Sequence, residues 1–436
     1  MGTTLALTLA LLATVPSRFG PEPDGKGHVV AALELSALSF PSGTTGGGQD
    51  FFAELSPLLT FTGGDDFSFS LGAPLRLRLF DAAPDQKATD YGQLLRREDW
   101  DTRSDYGQLL QSLRINHPDS TLYLQAGALE DVSLGRGHLV SHYDNRLNPN
   151  YHPLGTLLVA NGKTVRLEAL ASDVLAARLF AADVRLDLGR LIGGAETTAG
   201  DRYFLSVSAV QDFAQMELKT DTLTAMELEA EARVYDQDQQ QVALYLGAGT
   251  RFQGENPPLG GVFGVVAEGR LPQVKFSGKV EARHQGEGFR QGIVGPSYEV
   301  ARFSDTGLHN LGIAEAQLPQ GFSFYLEGAL DVLRDDNGVA WLTARADGEH
   351  FDFGRTDLDG ALTFRSADQQ AAGTFRVSMI GLGEDTRYHL EGELRYRLVT
   401  SLYAVATGGT LFFPQADASL ARGAFASLGI GADFMN

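Results

Sequence analysis

The stretch Phe67–Phe80, FSFSLGAPLRLRLF, constrains the fold more than any other part of this 436-residue chain. Its odd positions are apolar without a break: Phe67, Phe69, Leu71, Ala73, Leu75, Leu77 and Leu79. Its even positions are Ser68, Ser70, Gly72, Pro74, Arg76 and Arg78, with Phe80 closing the run. Successive side chains of a strand point to opposite faces, so this segment is a ribbon with one greasy face and one polar, cationic face. Later segments repeat the design. Leu228, Ala230, Ala232 and Val234 oppose Glu227, Glu229, Glu231 and Arg233. Val274, Phe276, Gly278, Val280 and Ala282 oppose Lys275, Ser277, Lys279, Glu281 and Arg283, and Tyr388, Leu390, Gly392, Leu394, Tyr396 and Leu398 oppose His389, Glu391, Glu393, Arg395 and Arg397. A soluble sandwich also alternates, yet its polar face rarely carries so dense a mixture of both charges strand after strand. The pattern predicts an all-β fold: a transmembrane, antiparallel up-and-down barrel with a wet interior and a lipid-facing exterior.

Bulk composition agrees. Hydrophobic residues make up 43% of the chain, and no apolar run reaches the roughly 18 residues of a membrane-spanning helix. The formal net charge of −20 argues against nucleic-acid binding, which needs a basic face. The absence of cysteine excludes a disulfide framework, thiolate catalysis and a cysteine zinc site. Residues Leu5 to Val15 form an apolar segment of signal-peptide length, with cleavage expected after Ser17. The domain reading is therefore a signal peptide over 1–17 and one barrel over 18–436, with long loops at 81–120 and 285–321.

Twenty strands are expected, with 16 to 22 compatible with the pattern; they start at His28–Phe40 and Phe51–Thr62 and include a short one near Ser133–Val140. Asn161-Gly162, between Gly155–Ala160 and Lys163–Leu170, is a strong hairpin signal, because both positions tolerate positive φ. If the first strand runs upward from the periplasm, connections such as 63–66, 161–163, 272–273 and 399–400 fall on the periplasmic side and are short. Connections 41–50, 81–120, 141–153 and 285–321 fall outside and are longer, the known asymmetry of these barrels; 189–201 breaks the rule. Within 81–120, Asp90-Tyr-Gly-Gln-Leu-Leu95 recurs as Asp105-Tyr-Gly-Gln-Leu-Leu110, and Tyr106, Leu109, Leu110 and Leu113 stand at helical spacing. That spacing predicts two short amphipathic helices, either decorating a surface loop or folding inward to narrow the barrel.

Two resemblances bear on class. The C-terminal run Ser427-Leu-Gly-Ile-Gly-Ala-Asp-Phe434 resembles the terminal assembly signal of outer-membrane barrels, with Phe434 third from the end rather than last. It implies insertion by the barrel assembly machinery. Residues 95–175, with Leu134-Gly-Arg-Gly137 before Tyr143-Asp-Asn145, resemble a group of porin-like bacterial outer-membrane β-barrel proteins to which no established activity attaches. The implied location is the bacterial outer membrane, and the implied partners are its lipids.

Few motifs suggest chemistry. His138 and His142 would share a face of a strand with Ser141 between them, a pattern open to loop packing, metal binding or acyl hydrolysis; packing is the expected role. Gly135–Gly137 is not a phosphate loop, since no helix-opening motif follows. Asp331 and Asp335-Asp336-Asn337-Gly338 resemble part of a calcium loop but read better as a hairpin turn. Neither enzyme activity nor any cofactor or metal is expected. The inward charges remain, and the candidate pore-lining residues are Arg76, Arg78, Glu227, Glu229, Glu231, Arg233, Lys275, Lys279, Glu391, Glu393, Arg395 and Arg397. Opposed charges across a pore set ion selectivity. The leading expectation is a porin-like channel for passive diffusion of small hydrophilic solutes or ions. The alternatives are a plugged structural or docking barrel and a lipid-acting barrel enzyme.

Overall fold

The structure is a computed structural model. It describes residues 27–41, 48–64, 66–82, 95–96, 99–147, 151–176, 178–194, 197, 200–213, 222–237, 239–252, 257–301, 319–333, 340–383, 386–414 and 420–435. The signal-peptide segment 1–17, the first copy of the echo at 90–94 and the turn at 335–338 lie outside them.

The strand segments are β1 (Gly27–Pro41), β2 (Gln49–Gly63), β3 (Phe67–Gly72), β4 (Leu75–Phe80), β5 (Leu110–Ile115), β6 (Leu122–Gly127) and β7 (Gly155–Asn161). They continue with β8 (Val165–Ala171), β9 (Leu179–Asp187), β10 (Tyr203–Asp212), β11 (Leu223–Gln237), β12 (Gln240–Arg251), β13 (Leu259–Leu271) and β14 (Val274–Gln285). The last are β15 (Gly321–Leu333), β16 (Ala340–Phe351), β17 (Thr356–Arg365), β18 (Ala371–Leu382), β19 (Arg387–Val399), β20 (Leu402–Pro414) and β21 (Leu420–Met435). Segments β3 and β4 both pair with β2, Leu59 with Leu71 and Leu55 with Leu75, so they are one strand interrupted at Ala73-Pro74. Proline brings no N–H to the ladder, which accounts for the break. Each strand pairs antiparallel with its sequence neighbour, and β21 pairs with β1, Phe434 opposite Ala31. The result is a closed barrel of 20 strands, with no free edge.

The side chains are arranged inside out. Leu326 is 62% exposed while the next residue, Glu327, is 3% exposed. Leu33, Leu228, Leu246, Phe263, Phe324, Leu394 and Ile430 are likewise exposed on the outer wall, whereas Glu229, Lys279, Glu281, Arg283 and Arg395 are buried within. Alternation alone produces both faces, and only a lipid surround makes the outer one favourable.

The strand number matches expectation through two offsetting differences. Ser133–Val140 is not a wall strand, and Leu110–Ile115, expected to be helical, is strand β5. Only a short 3-10 helix, Ser104–Leu109, precedes it. A register shift beside Ser70 pairs Leu71 with Leu110 and Phe69 with Leu113, so two leucines three residues apart both reach the outer face. An irregular strand thus imitated helical spacing. The parity of the connections survives the exchange. Both described termini and the short turns share one end, including 272–273 and 400–401. The long connections 81–109, 128–154 and 286–320 share the other. The exception, 188–202, carries helix α1 (Leu188–Gly193), capped by Asp187, whose carboxylate accepts the Arg190 N–H at 2.9 Å. A second helix, α2 (Tyr298–Ala301), follows the inward part of the connection after β14.

Candidate functional site: a lumenal insert and the slot beside it

Residues 128–147 turn back into the barrel rather than outward. The Val132 N–H donates to the Tyr143 carbonyl at 3.0 Å and the Tyr143 N–H returns the bond at 2.8 Å. The Leu134 N–H reaches the Val140 carbonyl at 3.1 Å, leaving Gly135-Arg136-Gly137 as the tip. Gly135 and Gly137 have φ of +58° and +82°, which glycine adopts without a steric penalty. That is the physical role of the glycine pair. The connection after β14 adds a parallel rung: the Gly292 and Val294 N–H groups donate to the His138 and Leu139 carbonyls at 2.6 and 2.9 Å, and the Ser141 N–H donates to the Val294 carbonyl at 2.9 Å. The two connections form one insert.

An apolar core seats it. Leu129, Val132, Leu139, Tyr143, Phe289 and Ile293 pack with the wall residues Leu157, Val159, Leu170, Leu179, Val210 and Leu223. Each fully buried aliphatic or aromatic side chain contributes on the order of 1.5–3 kcal/mol, so the insert is part of the folded core. The expectation for 81–120 is only partly met. Of its described residues, Arg96 and Asp99 reach inward to Arg76, while among the described residues of the long connections, 128–147 and 286–298 supply most of the insert.

At the tip, charge replaces grease. The Arg136 guanidinium contacts Glu231 at 2.7 Å and Glu268 at 2.9 Å. His138 lies 2.7 Å from Glu229, 3.3 Å from Glu227 and 3.0 Å from Glu281. Burial pushes the His138 imidazolium down, but these glutamates outweigh it and hold the ring well above the ordinary histidine range. His142 lies 2.7 Å from Asp131 and 3.4 Å from Glu327. Burial and Arg345 lower its pKa, Asp131 and Glu327 raise it more, and the net is an increase to about 10. Both histidines are cations that neutralise wall or loop carboxylates. They do not share a strand face, and Ser141 is placed by its backbone bond to Val294.

Across the lumen the insert presents acids to wall arginines. Arg345 lies 3.1 Å from Asp131 and also binds Asp347 and Asp359. Arg376 reaches Asp144 at 2.7 Å and Glu130 at 3.4 Å. Burial pushes the Asp144 carboxyl up to about 7, against the opposing pull of Arg376. Between these partners runs a slot, bounded by Asp131, Asp144, Pro296 and Ser297 on the insert and by Arg345, Asp359, Arg376 and His389 on the wall. It adjoins a cavity of about 100 Å³ lined by His142, Arg290, Tyr325, Glu349, Arg355 and Asp357 among others.

The sequence-derived candidates divide into groups. Glu227, Glu229, Glu231 and Lys279 face inward but lie buried against the insert. Arg233 is buried beside Glu231, its guanidinium 4.7 Å from the Phe204 ring, and Lys275 is half-buried opposite Asp331, which accepts the Thr343 hydroxyl at 2.9 Å. Arg76 pairs with Glu54 and Asp99 at 2.7 and 2.8 Å, and its guanidinium lies 5.2 Å from the Phe40 ring. Arg78 pairs with Asp81 at 3.1 Å and lies 5.4 Å from the Phe52 ring. Arg395 binds Glu34 at 3.0 Å and also Glu393, and Arg397 binds Asp433 at 2.7 Å. Glu391 is exposed, directly opposite Arg376 on the neighbouring strand. Asp131, Asp144, Arg345 and Arg376, which line the slot, and Glu130, which pairs with Arg376, were not singled out by sequence. The available signal was β7–β9: GTLLVAN and LFAADVRLD lack a continuous polar face, so something had to cover their inner side.

A closed barrel with an apolar outer belt and a charged, partly filled lumen defines a transmembrane β-barrel of the bacterial outer membrane. No family model and no curated protein matches the sequence. Among solved structures it is similar to Pseudomonas aeruginosa OccK5 (OpdH), with a TM-score of 0.33 and 11% identity over 94% of this chain and 98% of that one. Pseudomonas aeruginosa OpdK with vanillate gives 0.34 and 9% identity over 94% and 99%, and Acinetobacter baumannii OccAB4 gives 0.33 and 9% over 94% and 98%. Likeness this low carries no argument about the lumen, which is read from this chain's own residues.

Proposed function

We propose that this protein is a passive channel for small hydrophilic solutes or ions, with its passage running through the slot between the insert and the β16–β19 wall. The observation that supports it is the division of the lumen. The insert is seated by an apolar core on β7–β11, yet among the described residues it meets β16–β19 through ion pairs and small gaps. A 20-strand barrel is wide enough to hold an aqueous channel, and an inward loop reduces that bore to a selective slot. A second reading, a plugged docking barrel, is favoured by the ion pairs that reach both walls.

Single-channel recording of the refolded chain in a planar bilayer separates the two. The expected result is stepwise current far below that of an unobstructed barrel of this strand number. Folded, inserted protein that carries no current would overturn the channel reading in favour of the plug.

A further inference from the structure

We infer that the slot prefers cations, and that the carboxylates facing Arg376 set this preference; the inference rests on the channel reading above. Arg376 on β18 sits directly opposite Glu391 on β19, and it receives Asp144 and Glu130 from the insert at 2.7 and 3.4 Å. One guanidinium therefore serves three carboxylates. Their exposure differs: Glu130 and Glu391 are 56% and 47% exposed, whereas Asp144 is 10% and Arg376 24% exposed. Arg376 lines the slot with its guanidinium already engaged, and the two exposed carboxylates stand beside it at the slot's edge.

The next rung has the same sense. Arg345 is surrounded by Asp131, Asp347 and Asp359. Around the slot, Arg345, Arg376 and the protonated His142 stand against Asp131, Glu130, Asp347, Asp359 and Glu391, with Asp144, raised to about 7, as a sixth carboxyl that is only partly ionised at neutral pH: three cations against five to six carboxylates, a formal excess of two to three negative charges. In the adjoining cavity, Arg283, Arg290 and Arg355 are matched by Glu281, Glu349 and Asp357, which leaves the excess unchanged. His389, 3.9 Å from Glu391, adds at most one positive charge. Fixed charge of one sign in a constriction with low-dielectric walls concentrates the opposite ion and repels its co-ion. The arginines are conspicuous in the sequence, but their partners cancel them.

The test is the reversal potential of the refolded full-length chain in a planar bilayer under a KCl gradient. The wild type is expected to pass K⁺ over Cl⁻, by about threefold or more, because fixed negative charge raises the local cation concentration. Glu391→Gln and Glu130→Gln should each lower that ratio about twofold, and together bring it near unity, as charge of one sign is removed. Arg376→Gln, which unmasks three carboxylates, should move the ratio the opposite way. That opposition of sign is a readout that a purely structural role would not produce. Anion preference in a conducting wild type, or a ratio unmoved by the double glutamine variant, overturns the inference and leaves the channel standing. Absence of current in every folded variant overturns the channel reading itself, and this inference with it.

Discussion

At the scale of single residues, the lumen is governed by what each charge is paired with. His142 is the clearest case. Its folded pKa, raised to about 10, lies above the ordinary histidine value of 6.5, so protonation favours the folded insert. That contribution is fully present below about 6.5 and is lost as pH rises through about 10. Raising pH from 8 to 11 should therefore loosen residues 128–147, and protease accessibility of this segment in the reconstituted barrel measures it. His142→Gln, which cannot gain the charge, should lack the part of the response that histidine adds. Equal pH responses in the two proteins would remove His142 as a tether. A buried imidazolium is tolerated because Asp131 and Glu327 stand within 2.7 and 3.4 Å.

At the scale of elements, alternation fixes which face meets lipid, and depth fixes the cost of an error. Leu326, in the middle of β15, should lose about 2–4 kcal/mol of barrel stability on change to Arg, the cost of a cation at the bilayer midplane. Leu259, equally exposed but at the start of β13, should lose about 0–1 kcal/mol on the same change, because its side chain reaches the interface. Denaturant titration of the folded barrel in lipid vesicles compares them, and equal losses would contradict the assigned belt. Strand β5 shows where element reading from sequence fails. Leu110 and Leu113 reach one face through a register irregularity, which is set by the neighbouring strand and is invisible in residue spacing. Ser133–Val140 fails for the opposite reason. It can extend like a strand, yet its backbone forms no ladder with a wall strand: the Leu134 N–H goes to the Val140 carbonyl, and the His138 and Leu139 carbonyls accept from the second connection.

At the scale of the whole molecule, conductance and stability are joined through the insert. Replacing residues 130–144 by a short glycine–serine link should raise single-channel conductance several-fold, because the bore then approaches that of the bare ring. It should also lower thermal stability, since Leu157, Val159, Leu170 and Leu179 lose their partners and face water. Conductance unchanged in a barrel that still folds would mean that the insert does not limit the passage.

The sequence by itself determined the class of fold, the inward or outward side of each regular strand, the long and short ends and the inward direction of Arg76, Glu229, Lys279 and Arg395. All of these follow from local alternation and connection length, which need no knowledge of neighbours. Only the tertiary structure decided which of those charges meet water. Glu227, Glu229 and Glu231 lie under Arg136 and His138, whereas Glu391 and Glu130 remain open. The physical reason is range: Arg376 and Asp144 are 232 residues apart in the chain, and their meeting depends on closure of the ring and on the apolar seat of the insert.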